Sequence, residues 1–358
     1  MASGLFHFTT LLFNPKSASL LSAGRYQKFI TRQIVSPVVY NFGIHKVAAG
    51  AAQARKMILC YHGVVEKPNF SVNNRHMSLR QFEEDMIYLK NRFRIVSMSE
   101  MAVLSKENRK VEKDTIVLTF DDGYENNFQN IAPILEKHKI PATFYIITES
   151  FENEEFMVWC DLVDFAKAVV AEDLIFDDKI FKRSNGYINP DAQISITDYI
   201  KKMGSEREAA LEAFEKRYRT QIAPFVKMRS LWKLMSKDQV KTLSQNPLFE
   251  IGSHTQKHYC LGKIDAELVK KELTESKSAL ENLLQKEVKS IAFPDGSYNE
   301  TAKKIALEAG YENLLGVRLN QTGDFSEGVF FPRWPVSNST THQSNMIRLA
   351  MDWKKFAF

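Results

Sequence analysis

Apolar and polar positions follow two rhythms along this chain. Apolar runs of strand length alternate with longer stretches in which apolar residues recur every third or fourth position. Met57–Tyr61 is the first run and reads as a buried strand. Ser78 then precedes a periodic stretch that puts Phe82, Met86 and Leu89 on one face, which predicts a helix with Ser78 as its N-cap. Arg94–Met98 reads as a second short strand and Ser99–Leu104 as the start of another helix. Thr115–Phe120 is strongly β-prone, Asn127–His138 helical, and Ala142–Ile147, just past Pro141, a buried strand. Strand, helix and strand joined by short connections imply parallel βα units, and so a barrel or a doubly wound sheet.

The rhythm breaks over residues 149–235, which are rich in charge and contain helical stretches such as Ser205–Tyr218. This segment is expected to be an insertion covering one end of the barrel. Within it Asp177-Asp178 is followed by Lys179 rather than glycine and reads as a solvated turn. The barrel pattern resumes with a helix at Ser236–Ser244, a strand at Phe249–Ser253 and a long amphipathic helix at Ala266–Leu284. A strand at Ser290–Phe293 and a helix at Glu300–Ala309, capped by Gly310, follow. There is no internal repeat and no low-complexity tract.

The chain has 358 residues, 44% of them hydrophobic and 25% charged, the balance of a globular protein with a sizeable core. Its net charge of +5 is mostly interspersed with acidic residues, so nucleic acid is not an expected partner. Cys60, Cys160 and Cys260 lie far apart and form no ladder, which fits a reducing compartment. The N-terminus departs from this balance. Residues 1–65 contain no Asp or Glu but carry Lys16, Arg25, Lys28, Arg32, Lys46, Arg55 and Lys56. The apolar stretch Gly4–Phe13 is too short to span a bilayer, and the charge follows it, so there is no clear secretory signal. An organelle transit peptide has a similar composition. The favoured expectation for residues 1–55 is a basic extension in peripheral contact with an anionic membrane surface, on a protein of cytoplasmic location. Residues 56–358 form the barrel domain with its insertion.

Two constellations carry chemistry. Asp121 and Asp122 stand where an apolar strand ends, followed by Gly123, which allows a sharp turn. In parallel α/β folds that edge is where ligands bind. Neighbouring residues on a strand point opposite ways, so one carboxylate can hold a metal while the other acts as a base. His254 and His258 follow another predicted strand at a spacing of i and i+4, which puts them on one face if the segment is helical. That spacing suits a divalent metal, and both motifs should occupy the same rim.

In Thr119-Phe120-Asp121-Asp122-Gly123 and His254-Thr255-Gln256-Lys257-His258 the chain resembles the polysaccharide deacetylases of carbohydrate esterase family 4, from about Met57 to Val336. The resemblance implies a distorted (β/α)-barrel of about seven strands. It also implies Asp122, His254 and His258 as metal ligands and Asp121 as general base. The cofactor would be a divalent metal, zinc foremost, with cobalt or manganese as alternatives. The family's third motif is only partly kept. Ser290–Gly296 lacks the usual Arg, and Asp295 stands where Tyr is common. Asp295, through its backbone N–H, and Tyr124 are the expected oxyanion and substrate contacts. Arg333 is the candidate to replace the missing Arg, orienting Asp121 and keeping it ionised.

The Leu-x-His motif that carries the acid in many members is also missing, and His342 lies in a polar stretch. Instead Leu59-Cys60-Tyr61-His62 matches the Leu-x-Tyr-His of members with permuted motif order, whose first strand takes the place of the last. His62 is therefore the expected general acid. Trp159 and Trp232, flanking the insertion, are candidates to stack on sugar faces. The expected activity is removal of N-acetyl groups from amino sugars of a polysaccharide or lipid-linked glycan. The rivals are an O-acetyl carbohydrate esterase and a non-catalytic carbohydrate-binding protein on the same fold.

Overall fold

A computed structural model describes residues 54–72, 74–317, 328–338 and 340–356. All but the last two residues of the N-terminal extension 1–55 therefore lie outside the described residues. No helix among the described residues is long and apolar enough to cross a membrane. Ala52–Ser339 form one compact unit, and Thr340–Asp352, which begin the helix His342–Phe356, belong to another.

The larger unit is built on parallel strands β1 (Lys56–Tyr61), β2 (Arg94–Ile95), β3 (Thr115–Phe120), β4 (Ala142–Ile146), β5 (Phe249–Ser253), β6 (Ser290–Ala292), β7 (Asn313–Gly316) and β8 (Phe330–Pro335). Seven of them close a ring in the order β1–β8–β7–β6–β5–β4–β3 and back to β1. The first strand closes it, pairing Ile58 with Arg333 on one edge and running Lys56–Tyr61 along Thr115–Phe120 on the other. β3 meets β4 only at Thr119 and Phe120, whereas β2 meets it at Thr115 and Ile116. Because β1 takes the whole opposite edge of β3, β2 wedges between β3 and β4 at the N-terminal end. The barrel is thereby splayed, and between β5 and β6 the register narrows to Ser253 opposite Ile291.

Strand alternation sorts the side chains. Ile58, Val117, Tyr145, Ala292, Leu315 and Phe331 fill the barrel interior, plugged from below by Val96, Met98 and Met101. Tyr61, Phe120 and Phe144, of opposite parity, form an outer aromatic row with ring centroids 5.4 and 5.2 Å apart. The helix Leu79–Arg92 covers this row through Phe82, 5.9 Å from Phe120. Ser78 caps that helix as expected, accepting from the N–H of Gln81. Ser236 does the same for Lys237–Gln245 in a reciprocal capping box with Gln239.

Three local readings change. The strand expected over Arg94–Met98 stops at Ile95, and the next helix already begins at Met98. Asn127–His138 is not one α-helix: a π turn spans Asn127–Ile131 before the α-helix Ala132–His138. Pro133, which lacks an N–H, sits at this change of register. The insertion helix runs further than expected, Arg207–Val226, because Ile222 continues the buried row of Phe214 and Tyr218. The insertion also has a core of its own, in which Trp159, Phe165, Phe176, Phe214 and Trp232 are buried together. Asp177 and Asp178 do form a turn, both at left-handed φ (50° and 54°), between Leu174–Phe176 and Lys179–Phe181.

Candidate active site

The period-2 rule that fills the barrel also builds the site. Continuing the inward parity of Ile58 leads to Cys60 and His62; that of Val117 to Thr119 and Asp121; that of Phe331 to Arg333 and Pro335. Each series ends at the C-terminal rim, where Cys60, His62, Asp121, Arg333 and Pro335 line one cavity of about 340 Å³. Asp122, His254, His258 and Asp295 line it too, as do Trp159 and Lys201 from the insertion.

Asp121 is held by Arg333 through both oxygens, Nη1 to Oδ1 at 2.6 Å and Nη2 to Oδ2 at 2.8 Å, with both residues buried. Arg333 also donates to Thr119 Oγ1, and the Cys60 thiol donates to Asp121 Oδ2 at 3.4 Å. Burial alone would raise the Asp121 pKa. The charges of Arg333 and His254 and the guanidinium hydrogen bonds outweigh it and hold the pKa at about 2.

Asp122 adopts φ 70° and Gly123 φ 73°. Asp121 faces the cavity by alternation along the strand, and the left-handed turn after it brings the Asp122 carboxylate to the same cavity. Asp122 Oδ1 lies 3.4 Å from Nε2 of His254 and 3.4 Å from Nε2 of His258. The histidines do not lie on a helix, as i, i+4 spacing suggested. Thr255 and His258 sit at φ 67° and 61°, and a compact loop brings the two rings to 5.0 Å.

His254 Nδ1 is 2.7 Å from the carbonyl of Ala292, which fixes a proton on this nitrogen and leaves Nε2 facing Asp122. Asp122 Oδ1 is buried without a hydrogen-bond partner. Burial opposes the Asp122 charge, but the imidazoles of His254, His258 and His62 around it outweigh that and hold its pKa well below the usual carboxylate range. Burial pushes His258 down to about 3, against the pull of Asp122. Burial also disfavours charge on His254, but Asp121 and Asp122 outweigh it and raise the pKa. A buried carboxylate oxygen facing two imidazole nitrogens is an acceptor set that a cation would satisfy, so these residues fit a divalent metal.

His62 lies beside this group, with a ring nitrogen within 4.8 Å of an Asp121 oxygen. Burial lowers its pKa, opposed by Asp122 and Asp121. Its carbonyl accepts from Asn127 in the π turn. His342 belongs to the other unit.

Two expectations are corrected. Tyr124 is fully buried and does not line the cavity, because the left-handed turn at Asp122 and Gly123 carries it into the core of the insertion. There its hydroxyl donates to Asp161 at 2.9 Å, and Asp161 in turn accepts from Arg75. Trp232 is core as well, and Trp159, though at the cavity, is buried with Nε1 donating to the His258 carbonyl. Asp295 stands at the cavity at φ 56°, its carboxylate 2.7 Å from Lys201 Nζ.

Sequence reasoning missed Cys60, Lys201 and Arg207. The inward parity of Ile58 and His62 could have found Cys60. Lys201 and Arg207 fall in a charge-rich segment where they look like any surface cation.

Carboxylates and imidazoles converging on the C-terminal rim of a closed parallel barrel define the class of (β/α)-barrel proteins whose chemistry sits on the loops above the strands. Residues 108–314 match the polysaccharide deacetylase family, and the chain belongs to that family. It is 20% identical over 260 residues to YxkH of Bacillus subtilis, covering 72% of this chain and 63% of that protein. It is 31% identical over 157 residues to a poly-β-1,6-N-acetyl-D-glucosamine N-deacetylase of Staphylococcus aureus, covering 37% of this chain and 53% of that one. The chain thus spans less than two thirds of either curated relative. In fold it is similar to the Streptococcus pyogenes deacetylase PplD in complex with acetate (TM-score 0.54, 17% identity, 83% of this chain and 98% of that one). IcaB from Ammonifex degensii is also similar (TM-score 0.52, 17% identity, 83% and 97%).

Proposed function

We propose that the protein is a metal-dependent hydrolase that removes N-acetyl groups from amino sugars of a polysaccharide or lipid-linked glycan. The observation that carries the reading is the acceptor set of Asp122, His254 and His258 facing one another in a buried pocket, beside a second carboxylate locked by an arginine. Family membership and the N-deacetylase among the relatives support it.

Asp122, His254 and His258 would hold a divalent ion, zinc foremost, which when bound lowers the pKa of water toward about 7 and polarises the amide carbonyl. Asp121 is the base. Held at about 2 by Arg333, it is ionised at neutral pH, and it accepts a proton well only from a water already made acidic. The Asp295 backbone N–H would serve the oxyanion, and the side chain stays harmless because Lys201 neutralises it. His62 delivers a proton to the departing nitrogen, since an unprotonated amide anion is too basic to leave.

Acetate release from N-acetylglucosamine oligomers and from acetylated xylan, each with and without chelator, tests the proposal. Release from the first, abolished by chelator, is expected. Release from xylan alone identifies an O-acetyl esterase, and release from neither by metal-loaded protein a binding protein. His254→Ala and His258→Ala should lose the metal, and Asp121→Asn should keep it without turning over. His62→Ala should cost roughly a hundredfold in turnover with metal retained, and His342→Ala little.

A further inference from the structure

The loop that joins His254 to His258 is held from two sides. From the barrel, Glu272 of the helix Ala266–Leu284 accepts the backbone N–H groups of Gln256 and Lys257 at 3.0 and 2.9 Å. From the insertion, Arg207, the first residue of the helix Arg207–Val226, donates Nη2 to the carbonyl of Lys257 at 2.8 Å. Its Nη1 donates to that of His258 at 3.1 Å. Trp159 adds a third donor, Nε1 to the His258 carbonyl at 3.3 Å. Arg207 is only 2% exposed; Glu208 pairs with it, and its guanidinium lies 3.5 Å from the centre of the Tyr259 ring. Two non-glycine residues of the loop, Thr255 and His258, sit in the left-handed region, a conformation that persists only where surrounding contacts impose it.

Resting on the metal-dependent reading, we propose that Arg207 is a positioning residue for the His254–His258 loop, so that the insertion completes the metal site rather than only covering it. The planar fork of arginine suits the task, since it can reach two adjacent carbonyls while its remaining edge meets Glu208. By fixing the His258 carbonyl, Arg207 and Trp159 fix the residue whose Nε2 faces Asp122. The loop thereby keeps both imidazoles directed at one point. Partners of this kind outside the ligand set are worth about 10–100-fold in metal affinity.

The test is cobalt binding by the full chain, followed by chelator competition and by the visible absorption of the bound ion, which reports its coordination geometry. Arg207→Met keeps the apolar stem and removes the donors. It should weaken cobalt binding about 10–100-fold and alter the absorption band at temperatures where the metal-free variant, followed by thermal unfolding, is still fully folded. Arg207→Lys should recover part of the affinity. Trp159→Phe keeps a ring and deletes one donor, and it reads the same arm if Arg207→Met does not fold; it should weaken binding by a smaller factor. Wild-type affinity and band in both Arg207→Met and Trp159→Phe would overturn the proposal while leaving the metal site intact. Failure of the wild type to bind cobalt at all would overturn the metal site and this proposal together.

Discussion

Asp121 and Arg333 are both sealed from water, and neither can be removed alone without cost. In Arg333→Met the Asp121 carboxylate would stay in the barrel with its principal counter-charge gone. Breaking a buried pair from one side destabilises by about 3–5 kcal/mol. Chemical denaturation should read that loss, and Arg333→Met/Asp121→Asn should recover much of it. Glu272 makes the opposite kind of residue-scale statement. Burial raises its pKa to about 7 from the ordinary 4.5, against the lowering effect of the Lys257 N–H and of Arg207. The folded-state value is above the unfolded one. The contribution of this carboxyl to stability is therefore full below about pH 4.5 and lost as pH rises through about 7. Between those limits the wild type should lose stability relative to Glu272→Gln, by an amount on the order of 1–3 kcal/mol. Thermal unfolding of both proteins across that range checks the sign.

At the scale of elements, the short helix Ile196–Ile200 and the turn after β6 meet at the cavity through Lys201 and Asp295. If Lys201 neutralises Asp295, Lys201→Met should lower kcat by leaving an anion beside the developing oxyanion, and Asp295→Asn should change it little. The double variant should return toward wild type. Equal losses in Lys201→Met and the double variant would show that Lys201 matters for another reason. This pair also marks how far the sequence could be read. The strands were legible because a buried strand is a run of apolar residues whose alternation decides which side chains reach the rim. Asp121, Asp122, His254 and His258 stood at strand ends, and their meeting followed from parallel topology alone. How they meet was not legible: left-handed turns at Asp122, Thr255 and His258 replaced the alternation and helix that were expected, and the same turn took Tyr124 away from the cavity. The contacts of Lys201 and Arg207 depend on how an irregular insertion folds back on the barrel, and no local periodicity encodes that.

At the scale of the molecule, the extension and the barrel make separate predictions. If residues 1–55 contact an anionic surface, a chain lacking residues 1–50 should keep the barrel's thermal transition and bind anionic vesicles more weakly. Equal sedimentation with vesicles before and after truncation would leave the extension without that role.

The ring closure carries a consequence for how the protein comes into being. β1 is made first, yet one of its two neighbours is β8, so Ile58 must wait for Arg333. On a ribosome, β1 and β3 can pair early, but the contact that shuts the barrel, from Ile58 to Arg333, spans most of the chain and is among the slowest to form. The same late strand brings the guanidinium that makes Asp121 comfortable in the interior. A nascent or prematurely ended chain thus carries an open seam and an unmatched carboxylate. Assembly of the reaction centre is tied to completion of synthesis, and half-made chains should be inert and readily cleared by proteolysis.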